Sequence, residues 1–405
     1  MNMQPKKLLF ATMLFLFFAS IGNAQEEEKK KTMEIYGFIM MDAGYNFDQI
    51  HPDGFDVVRP TKLPTFKNQY GTDGNFFFSV RQTRLGFKNY FETPLGELKT
   101  HFEFEMFGTG VDAGQTTIRL RHAYAELGKF GAGQYWSPFM DIDVFPNTVE
   151  YWGPTGMAFF RNVQVRYMPI QGDSRLTIAL ERPGASADQG IYAGRIELAN
   201  VKPRFPLPDL SAEYRHAGKW GYVELAAIAR KIEWEDQDNL APDLSGDALG
   251  WGVNLSTNIK LGQRITFRGS ALYGEGVQNY MNDAPVDIGI QKTGIPSNPI
   301  EGVALPVTGL VGFFDINWNE KFSTAIGYSS IDIDNSDAQT NDAFKKGQYI
   351  VGNLMYYPVK NAMMGIEFQY GDRENFNATA STFSPSITKV QFSFKYNFSE
   401  AFFKK

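Results

Sequence analysis

The chain lacks cysteine, has only four histidines and, beyond its first two dozen residues, has no long apolar run. The missing cysteines suit export through an oxidising compartment but decide little alone. The missing run decides more. A membrane helix needs about 20 consecutive apolar residues, so a helical membrane protein is excluded. The scarce histidines argue against an enzyme, which would need one beside a Ser or Asp on a shared face. Strict alternation puts His101 on one face of its strand and His122 on the other, so neighbouring strands do not join them. His51 lies in a loop and His216 ends a strand. No cluster has zinc spacing, and no glycine loop is shaped to cradle phosphate. No cofactor or metal is expected. The net charge of −6 argues against nucleic acid as a partner.

What the sequence does have is alternation. In Glu97–Met106 the residues Leu98, Phe102, Phe104 and Met106 take one face, and Lys99, His101, Glu103 and Glu105 take the other. Successive strand residues point to opposite sides, so one side is oily and the other charged. The pattern recurs in about ten-residue units, the signature of a transmembrane barrel with a wet lumen. A mean hydropathy of −0.30 is no objection, because alternation hides the apolar content.

The fold class expected is all-β: an antiparallel membrane barrel of about sixteen strands, with short periplasmic turns and long extracellular loops. Short connections such as Thr93–Gly96 and Leu261–Gln263 alternate with long ones such as 48–75 and 275–306 along nearly the whole chain. Residues 1–24 read as a secretory signal: basic Lys6 and Lys7, an apolar Leu8–Ile21 and the small-residue site Gly22-Asn23-Ala24. Residues 25–32 then form a short periplasmic tail, 33–398 the barrel and 399–405 an extension. The last strand is the cleanest, with Val390, Phe392, Phe394, Tyr396 and Phe398 facing lipid.

Parity sorts the charges. Arg84, Arg119, Arg121, Arg166 and Arg175 face the lumen on one arc of the wall, with Glu103, Glu105 and Glu181 near them. Outward residues on the same strands include Leu120 and Tyr124. Arginines in a narrow wet pore gather anions and offer bidentate donors to carboxylates. The plainer reading is that they pair with those glutamates and fill a polar interior. The third long loop, 137–161, is rich in aromatics and proline and carries Asp141, Asp143, Glu150, Tyr151 and Trp152. A loop that apolar is expected to fold into the barrel as a constriction, its acids facing wall arginines. Neutralising Arg119 and Arg121 should then lower anion preference. An outward patch containing His122 and Glu126 is polar for a lipid face and points to a neighbouring subunit. The acidic run Asp332–Asp337 departs from a calcium loop, although divalent ions could bridge such loops to lipopolysaccharide.

Four runs carry a further signal: Gly37–Asp42, Val80–Phe87, Arg119–Leu127 and Gly133–Ser137. In this order they resemble the DcaP-like outer-membrane porins, and Tyr370–Asn375 is similar to that family's final hairpin. The resemblance covers most of the chain after the signal. It implies a sixteen-stranded homotrimer passing small anionic solutes, dicarboxylates among them. Better-known members carry a coiled-coil segment before the barrel, where this sequence offers only 25–32. Such barrels also end at an aromatic residue, whereas Phe398 is followed by Ser399–Lys405. The expectation is an outer-membrane porin working by passive diffusion. The alternative is a non-conducting barrel, an adhesin or ligand receptor with a blocked lumen.

Overall fold

The structure, a computed structural model, describes residues 31–402 except 185–191, 239–241, 378–382 and 384. The signal segment and most of the expected tail lie outside the described residues. Antiparallel ladders run from strand to neighbouring strand around one sheet, and Lys31–Asn46 pairs with Ser386–Phe402 to close it. The result is a closed sixteen-stranded barrel. Two strands are interrupted: Asn75–Ser79 continues as Arg84–Thr93, and Val201–Arg204 continues as Asp209–Gly218. Closure satisfies every edge, which lipid could not do.

The first–last ladder extends to Met33 opposite Phe402. Ser399–Phe402, expected outside the barrel, therefore continues the last strand, and the first strand begins at Lys31. Burial alternates along the strands. Ile39, Ile366 and Phe392 are exposed on the outside, while Asp42, Glu367 and Gln391 are buried inside. Among the described residues no helix is long and apolar enough to cross a membrane.

Short turns such as Thr93–Gly96 and Gly218–Gly221 cluster at one end, and the long loops lie at the other. The longest of these holds a hairpin, Ile288–Ile295 with Asn298–Ala304, where the sequence suggested only loop. Ile288 packs there with Tyr192, Leu198, Ile232 and Trp234 in a small apolar core.

Strict alternation fails at one place that matters. Glu103 faces His122 in the ladder, but the next pair is Phe104 with Leu120. Arg121 is the extra residue of a β-bulge, and a bulge shifts the parity of the residues beyond it. His122 and Tyr124 are therefore buried inside and not turned outward. This corrects the outward patch: Glu126 contacts Lys99 at 3.2 Å on the lumenal side. It also corrects the separation of the histidines, since the His101 and His122 rings lie 4.7 Å apart.

Candidate functional site: the lumen and its inserted loop

The segment between Trp136 and Arg161 folds into the barrel and crosses to the opposite wall. Its contacts with inward side chains trace the path. Asp141 accepts from Arg215, Tyr222 and Ser256, each at 2.7 Å. Asp143 takes the other end of the Arg215 fork at 2.6 Å. Further along, the Asn147 amide donates to Asp315 at 3.2 Å, and the Val149 and Glu150 amides donate to Glu367 at 2.9 and 3.1 Å. Gln82 and Gln391 donate to the Val149 carbonyl at 2.8 and 3.3 Å. The chain thus returns to the wall near the closure seam.

Tyr151 comes next. Its hydroxyl bonds Glu105 and Arg119, and its ring stacks on Phe107 at 3.9 Å. The Trp152 indole donates to the Asn282 carbonyl at 2.8 Å, and Arg59 lies 3.9 Å above its ring. Apolar loop residues Phe139, Met140, Ala158 and Phe160 fill the space between with Leu272, Tyr280 and Met281. Hydrophobic burial explains why this loop enters the barrel; the carboxylates decide where it docks.

Each expected site residue now has a place. Arg119 and Arg121 are buried. Arg121 pairs with Glu103 at 2.6 Å and Glu105 at 2.9 Å, and Arg119 pairs with Glu105. Arg84 joins the same knot at 2.9 Å from Glu105 but keeps 23% of its side chain exposed. Arg166 bonds Gln164 at 3.1 Å and lies over Tyr124 and Tyr135. Arg175 belongs to another cluster, 3.1 Å from Glu213 and 2.9 Å from Glu224. Glu181 is held by Ser137 at 2.6 Å and Ser211 at 2.5 Å. The loop acids Asp141 and Asp143 do meet an arginine, but it is Arg215, outside the expected set.

Among the described residues no arginine is placed in an ion pair with Glu150. It accepts from the Val58 and Gly153 amides at 3.1 and 2.6 Å, and burial pushes its carboxyl up to about 7 despite the nearby Lys389. Arg161 is buried under Trp136 and Phe159. Sequence reasoning also passed over Glu367 and Lys389, although simple alternation places Arg215, Glu367 and Lys389 inside. Among the described residues no group of side chains is arranged to hold a metal ion.

A closed barrel, a lumen of paired charges and a loop inserted across it define an outer-membrane channel of the porin class. The DcaP outer membrane protein family model matches residues 21–283, well over half the chain, and the chain belongs to that family. Among solved structures it is similar to the outer membrane channel DcaP of Acinetobacter baumannii. The two share 20% identity and a TM-score of 0.72, over 93% of this chain and 100% of that one. An anion-selective porin from Comamonas acidovorans shares 11% identity and a TM-score of 0.58, over 91% and 100%. The trimer form of OmpT from Vibrio cholerae shares 11% identity and a TM-score of 0.52, over 91% and 100%. No curated protein matches the sequence.

Proposed function

We propose that this channel passes small hydrophilic solutes by passive diffusion and favours anions, carboxylates among them. One observation carries the preference. In the half-open charge clusters the carboxylate sits deeper than its cation. Arg84 is 23% exposed against 0% for Glu105. Arg175 is 30% exposed against 7% for Glu213, and Arg268 25% against 12% for Asp315. Lumenal water therefore meets guanidinium edges first, and a nearby cation raises the local anion concentration. Among these lumenal clusters Asp143 runs the other way, at 49% against 6% for Arg215. Reversal potentials across a salt gradient test the proposal, and a cation-favouring sign would overturn it. Proteoliposome swelling separates a channel from a blocked barrel, which would admit no sugars or amino acids.

We also propose that the chain works as a homotrimer, exported by a cleaved signal at 1–24. A membrane strand needs about 9–11 residues. Phe130–Trp136 and Arg175–Glu181 have seven each, whereas Phe344–Tyr356 on the far side has thirteen. The low wall exposes less height than lipid covers, and a second copy set against it removes that mismatch. Native-gel migration and cross-linking in detergent test this; a monomer under both would overturn it.

A further inference from the structure

A cavity of about 560 Å³ lies on the long-loop side, above Trp152 of the inserted loop. Its walls come from five loops, around residues 50–63, 108–113, 152, 194–195 and 284–286, together with Arg81, Phe344 and the final hairpin, and none of its cations was among the expected site residues. Arg59, Lys62, Arg81, Arg195 and Arg373 line it together with Asp53, and Arg81 is paired with Asp56 at 2.7 Å. Arg59 rests on Trp152 and is paired with Asp283 at 3.0 Å. Arg195 donates to the Ala284 and Pro285 carbonyls at 3.0 and 2.7 Å. Arg373 donates to the Thr61 and Asp342 carbonyls and to Asn375 Oδ1, all uncharged oxygens. Among the described residues, neither Lys62 nor Arg373 has a carboxylate within ion-pair distance. The cavity walls, and then Arg59, Arg195 and Arg373, lower the Lys62 ammonium below its ordinary range, with only Asp283 acting against them.

We propose that this vestibule is a capture site for soluble multivalent carboxylates, ahead of the constriction. Guanidinium and ammonium groups gathered in one cavity repel one another, and an oxyanion of several charges offsets that repulsion. Leu63, Phe344, Ile387 and the Trp152 ring give the lining an apolar part. It suits the carbon frame of an organic acid and would stay uncovered beneath inorganic phosphate. The site deepens the anion-channel reading proposed above, but it is made of different residues.

The test uses the full-length protein in planar bilayers, with tricarballylate added to either face and propionate as the singly charged control. Tricarballylate on the long-loop face should block the current saturably, with propionate and the turn face much weaker. Lys62→Gln should raise the half-blocking concentration roughly five-fold, and Lys62→Arg should restore it. An anion-favouring reversal potential without saturable block would overturn the vestibule site and leave the channel reading standing. Equal block in Lys62→Gln would also overturn it. Should the protein carry no current, titration calorimetry of tricarballylate into detergent-solubilised protein decides. Binding weakened by Lys62→Gln upholds the site, and absence of heat overturns it.

Discussion

The Glu367 carboxylate, fully buried on the wall, receives the Val149 amide from the inserted loop at 2.9 Å. The Glu150 amide reaches the other oxygen at 3.1 Å, and Asn353 and Gln369 complete the set. One wall side chain thus satisfies two loop amides that no strand partner could reach. Glu367→Ala strands both. A buried donor left unsatisfied costs about 1–3 kcal/mol, so the loop should come away locally while the barrel stays folded. Single channels of the variant should show larger, noisier currents with an unchanged heat-modifiable band on gels. Steady currents of parental size would show that Glu367 does not hold the loop.

Gly156 is the second anchor. Its backbone has φ +74°, and a Cβ there would run into the Ser330 carbonyl on the opposite wall. Gly156→Ala combines a left-handed strain of about 1 kcal/mol with that clash, so the loop must shift. Limited proteolysis should cut the 137–160 loop faster in Gly156→Ala than in the parent. An equal cleavage rate would show that the wall yields instead.

How far these contacts were legible depended on where alternation holds. The barrel was readable because lipid and water impose the same two-residue rule on every strand. Arg84, Arg175 and Glu181 point inward for that reason. His122, Tyr124 and Glu126 broke the rule, because nothing local in Arg119–Glu126 announces that Arg121 will bulge. The bulge lets Arg119 and Arg121 both reach Glu105 while His122 turns in beside His101. The entry of the loop was legible from its aromatics, but its docking on Glu367 was not, since that bond joins residues 218 positions apart. The vestibule was hidden for the same reason: Lys62, Arg195 and Arg373 are scattered in sequence and meet only when the loops fold over one another.

Arg84 and Arg175 separate selectivity from stability. Each shares its carboxylates with another arginine: Arg119 and Arg121 hold Glu105, and Arg215 holds Glu224 at 2.6 Å. Arg84→Gln and Arg175→Gln therefore leave those two acids paired. A unit charge about 8 Å from a passing ion in water is worth about 0.5 kcal/mol, in favour of an anion and against a cation, so each variant should lower the anion-to-cation permeability ratio roughly five-fold. Arg119→Ala with Arg121→Ala differs, because it leaves two buried glutamates with the partly exposed Arg84 in place of three arginines. Breaking a buried pair costs about 3–5 kcal/mol, so its thermal midpoint should fall along with any loss of anion preference. If Arg84→Gln and Arg175→Gln leave reversal potentials unchanged, the exposed guanidinium edges play no part in selection.

Glu150 gives the loop a pH dependence of known sign. Burial raises its carboxyl to about 7 in the docked loop, whereas a loop released to water would have the ordinary carboxylate value. The docked state therefore holds the proton more tightly, and docking is strongest when Glu150 is protonated. As pH rises from the ordinary value toward 7 the released loop ionises first, and docking weakens by up to about 3 kcal/mol. Above 7 both states are ionised and the loss is complete. Lys389 limits the effect and Glu367, its acidic neighbour, enlarges it. Open-channel noise should rise as pH goes from the ordinary carboxylate value of 4.5 to about 7, and Glu150→Gln should flatten that rise. A noise profile that instead falls with pH, or that survives unchanged in Glu150→Gln, would place the titrating group elsewhere.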